Sequence, residues 1–213
     1  MSSRRMPPKV IGIDFDNTLI CYDEVFHRLA VEAELVVPES PRKQKAVREA
    51  ARRSPEGDLA WQRLQGQAYG PRIQEATPAP GAMAFLERCR AADLAVHIIS
   101  HKTQQASIDP SRTDLQAAAR DWLAVHGFFS EATGLGPQHF LCGATRSAKI
   151  DLIRERRCTH FIDDLVETFR EQRFPAHVQA ILYAPGGEAA PGDLAGLVVA
   201  RTWFEIEERV FLG

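Results

Sequence analysis

The segment from Val10 to Ile20 places two aspartates inside an otherwise apolar run. Val10, Ile11 and Ile13 have the pattern of a buried strand, and Asp14 and Asp16 follow where the core would continue. A buried carboxylate is costly unless it is paired or binds a metal. A chain with this segment must therefore bring positive charge to the end of its first strand.

Apolar strand-like segments alternate with longer segments that have helical spacing. This alternation is typical of an α/β fold, a doubly wound parallel sheet with helices on both faces. The predicted strands are Val10–Ile13, Ala95–Ser100, His139–Cys142, Thr159–Asp163, Gln179–Ala184 and Leu197–Ala200. The predicted helices include GAMAFLERCRAADL, TDLQAAARDWLAVHGF, SAKIDLIRERR, LVETFREQRF and TWFEIEERVF.

One region interrupts the alternation. From about residue 21 to residue 79 the pattern shows three helix-like segments, DEVFHRLAVEAEL, SPRKQKAVREAARR and DLAWQRLQGQAYG, and no strand. A stretch this long is too long for a simple connection in a compact domain. The sequence predicts an α/β core formed by residues 1–20 and 80–213, with residues 21–79 as a small helical insertion.

A second acidic pair, Asp163 and Asp164, follows the apolar residues Phe161 and Ile162. Ligands of open parallel sheets bind at the carboxyl ends of the strands, where this pair and the first pair are expected to meet. Like charges at such distances repel strongly, so the cluster requires a cation. Carboxylate and water ligands favour Mg²⁺.

Two further groups are predicted at the same crevice. Ser100 ends the predicted strand VHIIS and can donate to a phosphate oxygen, and Lys149 lies near the start of the helix SAKIDLI. Lys149 could instead be a solvated lysine at a helix start. Lys102 is then the alternative lysine for holding the phosphate. Paired carboxylates, a hydroxyl, an ammonium and a divalent metal are the groups that phosphoryl transfer requires.

These motifs together resemble those of the haloacid dehalogenase (HAD) superfamily. Its first motif, Asp-x-Asp-x-Thr, corresponds to the residues from Asp14 to Thr18. Its second motif is a strand ending in Ser100, its third is Lys149, and its fourth is the pair after Ile162. The order is that of the superfamily, and the resemblance extends from about Val10 to the C-terminus. It implies a Rossmann-like core, with the helical insertion acting as a cap.

The resemblance also implies catalytic roles. Asp14 would attack phosphorus and form an aspartyl-phosphate, while Asp16 would protonate the leaving oxygen and later activate water. Thr18 and Ser100 would hold phosphate oxygens. Lys149 would bridge the nucleophile and the phosphate.

The same resemblance implies the metal ligands. Asp163 would bind Mg²⁺ together with the Asp14 carboxylate and the main-chain carbonyl of Asp16. Asp164 would either bind the metal through water or orient Lys149; both roles remain open.

Several side chains have two interpretations. His101 and Lys102 follow Ser100 directly and either contact the leaving group of the substrate or belong to a solvated loop. The insertion also carries a basic run, which is either a solvated helix face or a patch that attracts a polyanionic substrate. This run consists of Arg42, Lys43, Lys45, Arg48, Arg52 and Arg53.

The sequence predicts a Mg²⁺-dependent phosphatase that acts on a small phosphorylated metabolite, such as a sugar phosphate or a nucleotide. A phosphomutase would use the same core, and a catalytically silent binding protein could retain the fold. A dehalogenase would not need Asp16, because a halide leaves without a proton.

Composition limits the remaining classes. A formal net charge of −2 provides no general attraction for nucleic acid. The four cysteines are scattered and indicate reduced thiols. The chain has no apolar run long enough to cross a membrane, and its N-terminal MSSRRMPPKV lacks the pattern of a signal peptide. A cytoplasmic enzyme is expected.

Overall fold

The structure is a computed structural model that describes residues 8–187, 189 and 192–212. The expectation about the N-terminal leader falls mainly on residues 1–7, which lie outside the described residues. The chain forms two compact units, which we call the core unit and the helical unit. Within the described residues, the core unit contains the chain up to Leu19, Pro80–His101 and the chain from Phe128 onward, and the helical unit contains Ile20–Ala79 and Lys102–Gly127.

Strands and helices alternate along much of the described chain. The strands are β1 (Val10–Ile13), β2 (Ile20–Cys21), β3 (Thr77–Pro78), β4 (Ala95–His101), β5 (Phe140–Gly143), β6 (His160–Asp163), β7 (Gln179–Tyr183) and β8 (Val198–Ala200). The α-helices are α1 (Asp23–Glu32), α2 (Gln44–Arg53), α3 (Asp58–Tyr69), α4 (Ala82–Ala91), α5 (Leu115–Val125), α6 (Arg146–Glu155), α7 (Val166–Phe169) and α8 (Trp203–Leu212).

The core unit contains a six-stranded sheet in the order β5-β4-β1-β6-β7-β8. Every neighbouring pair is parallel, and Ile13 of β1 pairs with Ile98 on one side and Ile162 on the other. The strand order reverses at β1, where doubly wound sheets form their ligand crevice. The predicted doubly wound α/β fold is confirmed.

Close packing beside the first strand depends on a glycine. A Cβ at Gly12 would lie 2.6 Å from Cδ2 of Phe161 and 2.9 Å from Sγ of Cys158. Phe161 is fully buried, as are Ile11 and Ile13 on either side of the glycine. Gly12 therefore lets β6 and its aromatic ring pack closely against the central strand.

The helical unit has its own aromatic core. The rings of Phe26 in α1 and Trp61 in α3 are stacked with centroids 4.8 Å apart. Trp122 of α5 is buried, and its indole N–H donates to the carbonyl of Ala76 at 3.0 Å. The segment Lys102–Gly127 therefore packs within this unit, whereas its sequence predicted that it belongs to the α/β core.

Half of the basic run is paired with acidic side chains. Arg42 lies 2.8 Å from Glu24, and Lys43 lies 2.9 Å from Asp23. Arg52 is paired in the same way with Asp58 at 2.9 Å. These acidic partners neutralise half of the run, which favours the interpretation as a solvated helix face over that of an anion-attracting patch.

Two features differ from the sequence-based expectations. The antiparallel strands β2 and β3 are only two residues each, so they lack the periodicity by which a strand is recognised. The predicted helix in LVETFREQRF is limited to α7, because turns and bends follow Phe169. Among the described residues, no helix combines the length and the apolar character needed to cross a membrane.

Candidate active site

The first carboxylate pair lies in a tight turn at the carboxyl end of β1. The main-chain N–H of Asp14 donates to the carbonyl of Ile162 at 2.8 Å, which continues the pairing with β6 by one residue. Asn17 then has a left-handed backbone with φ of 56°, a conformation that asparagine tolerates better than most residues. The N–H of Leu19 closes the turn on the carbonyl of Phe15 at 3.0 Å.

Lys149 is held near the carboxylates by the start of α6. Thr145 caps this helix by accepting a hydrogen bond from the N–H of Ala148 at 3.1 Å. A Cβ at Gly143 would lie 2.6 Å from the main-chain nitrogen of Lys149, so the glycine allows α6 to begin close to the end of β5. This packing directs a buried lysine toward the sheet.

The ammonium of Lys149 bridges two carboxylates. Its Nζ lies 2.5 Å from Oδ1 of Asp14 and 2.7 Å from Oδ2 of Asp163. All three side chains are almost completely buried. Burial opposes the charge on Lys149, but the attraction of Asp14 and Asp163 outweighs it and raises the pKa of the lysine. Lys149 is therefore not a solvated lysine at a helix start.

The fourth-motif aspartates complete a compact acidic cluster. The N–H of Leu165 donates to Oδ1 of Asp163 at 2.8 Å and fixes the orientation of that carboxylate. Carboxylate oxygens of Asp14, Asp163 and Asp164 lie within 4.8 Å of one another. Three carboxylates share one ammonium, so the cluster is short of positive charge.

The pKa values of two carboxyl groups reflect this shortage. Burial raises the pKa of Asp14 to about 7, against the lowering effect of Lys149 and with a further contribution from Asp163. Burial also raises the pKa of Asp164 well above its usual range, and the charge of Asp163 adds to the effect. Additional positive charge at the cluster would favour the ionised forms of both groups.

The donor set fits a hard divalent cation. The grouped ligand atoms of Asp14, Asp163 and Asp164 are all oxygens, which Mg²⁺ prefers, and no thiolate or imidazole belongs to the group. The Asp16 carboxylate lies outside this group, as expected if the residue contributes only its main-chain carbonyl.

Hydroxyl groups lie beside both residues of the first pair. Oγ of Ser100 lies 3.4 Å from Oδ2 of Asp16, and Oγ1 of Thr18 lies 3.5 Å from Oδ2 of Asp14. Both hydroxyl-bearing side chains are fully buried. These long contacts leave the two hydroxyls able to turn toward a bound anion.

His101 and Lys102 lie on either side of a unit boundary. His101 is the last residue of β4 in the core unit, and its side chain is exposed. Lys102 opens a segment of the helical unit, where its Nζ lies 4.9 Å from the centroid of the Tyr69 ring. Of the two candidate lysines, Lys149 is the one that bridges Asp14 and Asp163.

Three contributors to the site were not identified from the sequence. Asn17 supplies the left-handed turn, Gly143 allows the approach of α6, and the main-chain N–H of Leu165 orients Asp163. Asn following an Asp-x-Asp strand end is a recognisable turn signal. Nothing local in the sequence distinguishes the other two.

The chain shares its fold with solved HAD-family structures. A HAD hydrolase from Bacillus subtilis, bound to magnesium, is 12% identical, with coverage of 97% of this chain and 100% of that chain and a TM-score of 0.59. A HAD-family hydrolase from Deinococcus radiodurans, with bound phosphate and sodium, is 15% identical, with coverage of 96% and 95% and a TM-score of 0.56. A dehalogenase is 11% identical over the full length of both chains, with a TM-score of 0.57.

The sheet and its carboxylate-lined end define a doubly wound α/β protein with a buried acidic site. No protein-family model matches the chain, and no curated protein matches it in sequence. The structural matches nevertheless cover nearly all of the chain. The chain has the fold of the HAD superfamily, and the resemblance found in its motifs is confirmed at the level of the fold.

Proposed function

We propose that the protein is a Mg²⁺-dependent phosphomonoester hydrolase that acts through an aspartyl-phosphate on a small phosphorylated metabolite. The observation that carries the proposal is the contrast between the two first-motif carboxylates. Asp14 is buried and bound to Lys149, whereas Asp16 is partly exposed and lies beside Ser100. Two carboxylates in different environments are suited to two different roles.

In the first step, a carboxylate oxygen of Asp14 attacks phosphorus as the bond from phosphorus to the ester oxygen breaks. Asp16 donates its proton to the departing oxygen, which leaves as an alcohol. In the second step, Asp16 removes a proton from water, whose oxygen attacks the phosphoryl group and releases inorganic phosphate and Asp14. Both residues end the cycle in their starting protonation states.

The surrounding residues hold the reacting groups. Lys149 keeps the Asp14 carboxylate oriented and offsets charge on the phosphoryl oxygens, while Thr18 and Ser100 donate hydrogen bonds to those oxygens. Asp14, Asp163 and Asp164, with the Asp16 carbonyl, would hold the metal. A bound Mg²⁺ supplies the positive charge that reduces repulsion between Asp14 and the phosphate.

The helical unit is proposed to act as the cap that selects the substrate. Its location in the chain supports this role, because its segments begin directly after the first motif and directly after Ser100-His101. Lys102, the first residue of the second segment, is proposed to contact the substrate together with His101. A cap of this kind suits a small metabolite rather than a phosphoprotein.

Dehalogenation is the second activity that the fold allows, since one solved structure with this fold is described as a dehalogenase. Asp16 favours phosphoryl chemistry, because a halide leaves without a proton and an alcohol does not. Its contact with Ser100 keeps the carboxylate at the site.

The test measures phosphate release from sugar phosphates, nucleoside monophosphates and p-nitrophenyl phosphate, and halide release from 2-chloropropionate. Wild type is compared with Asp14→Asn and with the exposed-site control Asp121→Asn, each with Mg²⁺ and with EDTA. Phosphate release that requires Mg²⁺ and Asp14 supports the proposal. Halide release without phosphate release would replace the phosphatase proposal with dehalogenation. If neither phosphate nor halide is released, the result would favour a binding protein.

A further inference from the structure

The helix that carries Lys149 is tied by polar contacts to the segment that follows α7. The guanidinium of Arg173 donates to both carboxylate oxygens of Asp151, with N···O distances of 2.5 and 3.3 Å. It also donates to Oγ of Ser147 at 3.0 Å, and the carbonyl of Arg173 accepts a hydrogen bond from Nη2 of Arg154 at 2.6 Å. The contacts of this one residue therefore extend over about two turns of α6.

Apolar packing lies beneath these polar contacts. Phe169, at the end of α7, belongs to the core cluster that contains Ile150 and Ile153 of α6, and Phe174 packs against this cluster. Apolar contact is non-directional, so it holds the segment and the helix together without fixing where α6 lies along its own axis. The bidentate pair between Arg173 and the helix has a defined geometry and supplies that restraint.

The position of α6 along its axis determines where the Lys149 ammonium lies. Its Nζ is 2.5 Å from Oδ1 of Asp14 and 2.7 Å from Oδ2 of Asp163, so it contacts carboxylates at the ends of two different strands. A slide of the helix by about 1 Å is enough to lengthen such contacts beyond the usual hydrogen-bond range of about 2.7–3.2 Å. The bridge therefore requires that α6 be held in register with the sheet.

We propose, on the basis of the proposed function, that Arg173 is a positioning residue for the reaction. It fixes α6 along its axis and thereby holds Lys149 between Asp14 and Asp163. The side chains of Arg173 and Asp151 are 56% and 39% exposed, and exposed ion pairs contribute little to stability. Loss of Arg173 should therefore affect turnover more than it affects folding.

The test compares Arg173→Ala with Arg170→Ala. Arg170 is the matched control, because its guanidinium makes an exposed bidentate pair with Asp193, at 2.9 Å for each contact, and this partner lies outside α6. With p-nitrophenyl phosphate and Mg²⁺, Arg173→Ala should lower kcat by about tenfold with little change in KM, since misplacing a group by about 1 Å can cost up to about 10²-fold. Arg170→Ala should keep the wild-type kcat. Arg173→Lys, which keeps the charge but not the planar fork, should recover part of the loss.

A double variant shows whether Arg173 acts through Lys149. In the Lys149→Met background, adding Arg173→Ala should lower kcat by less than about twofold, because the group that Arg173 positions is gone. A further loss as large as that in wild type would overturn the proposal. If Lys149→Met does not fold, the comparison of Arg173→Ala, Arg173→Lys and Arg170→Ala decides.

A spectroscopic measurement reports on Lys149 without turnover. Its ammonium is 2% exposed and bonded to two carboxylates, so its side-chain ¹H–¹⁵N signal should exchange slowly with water. Arg173→Ala should shift or broaden this signal, and Arg170→Ala should leave it in place. An unchanged signal in Arg173→Ala would overturn the positioning of Lys149 by Arg173.

The outcomes separate this proposal from the proposed function. If wild type releases phosphate and Arg173→Ala has the same kcat, the role of Arg173 is overturned and the phosphatase stays intact. If the Lys149 signal shifts in Arg173→Ala but wild type hydrolyses no phosphate ester, the phosphatase is overturned and the positioning of Lys149 stands.

Discussion

Gly143 and Lys149 approach each other so closely that a Cβ on the glycine would lie 2.6 Å from the main-chain nitrogen of the lysine. The neighbouring atom is backbone at the start of α6, which cannot move as a flexible side chain would. The position of the Lys149 ammonium therefore depends on the absence of a side chain six residues earlier.

Gly143→Ala should displace the start of α6 and weaken the bridge from Lys149 to Asp14. Overpacking of this kind costs about 1–3 kcal/mol of unfolding free energy. Urea denaturation followed by circular dichroism measures the loss, and phosphate release should fall with it. Gly192→Ala is the control, because a Cβ there meets nothing within 4 Å. Equal midpoints for the two variants would contradict the argument from close packing.

Lys149→Met should destabilise the metal-free protein at pH 8, where the acidic cluster loses its cation. Breaking a buried ion pair by removing one partner costs about 3–5 kcal/mol. The cost should be smaller at pH 5, because Asp14 has a pKa of about 7 and can then take up a proton. Urea midpoints at both pH values in EDTA provide the measurement. Lys45→Met, at an exposed lysine, should show no such pH dependence.

Asp14 should make the metal-free protein less stable as the pH rises from about 4 to about 7. Its pKa is raised from 3.8 to about 7, so between these values the folded state binds more protons than the unfolded state. Stability then falls with increasing pH through this window. In urea titrations with EDTA, Asp14→Asn should show a flatter dependence than wild type. Identical slopes would rule out a raised pKa at this residue.

Asp16→Asn should slow phosphate release by about 10²–10⁴-fold, the usual contribution of a general acid and base. The loss should be greater for sugar phosphates than for p-nitrophenyl phosphate, whose leaving group needs little protonation. Because the variant also lacks the base that activates water, a phosphorylated protein should accumulate and be detectable by mass spectrometry. A uniform loss for all esters would point to a structural effect, and Asp121→Asn serves as the exposed control.

The sequence predicted the strands of the sheet and the polar residues at their ends because both signals are local. Ile11 and Ile13 before Asp14, and Phe161 and Ile162 before Asp163, show buried strands that end in charge. Parallel pairing then brings such ends together without further information. All three residues of the bridge from Lys149 to Asp14 and Asp163 were candidates, but the sequence predicted that Lys149 bridges the nucleophile and the phosphate, and it did not predict the contact with Asp163.

Features that depend on contacts between residues far apart in the chain could not be predicted from the sequence. β2 and β3 pair residues more than fifty positions apart, and each is too short to show a pattern. The packing of Trp122 on Ala76 is likewise long-range and assigns its segment to the helical unit. The helical periodicity of α5 identifies a buried face but does not specify what covers it.

The helical unit is assembled from two separate stretches of chain, Ile20–Ala79 and Lys102–Gly127, joined through part of the core unit. Deletion of the first stretch alone would remove residues that pack against the apolar face of α5. This face includes the buried side chains of Trp122 and Leu123. Any exchange of this unit between related proteins must therefore transfer both stretches. During synthesis, α5 follows α3 in the chain, so the contacts between these two helices can form only after the later stretch has left the ribosome.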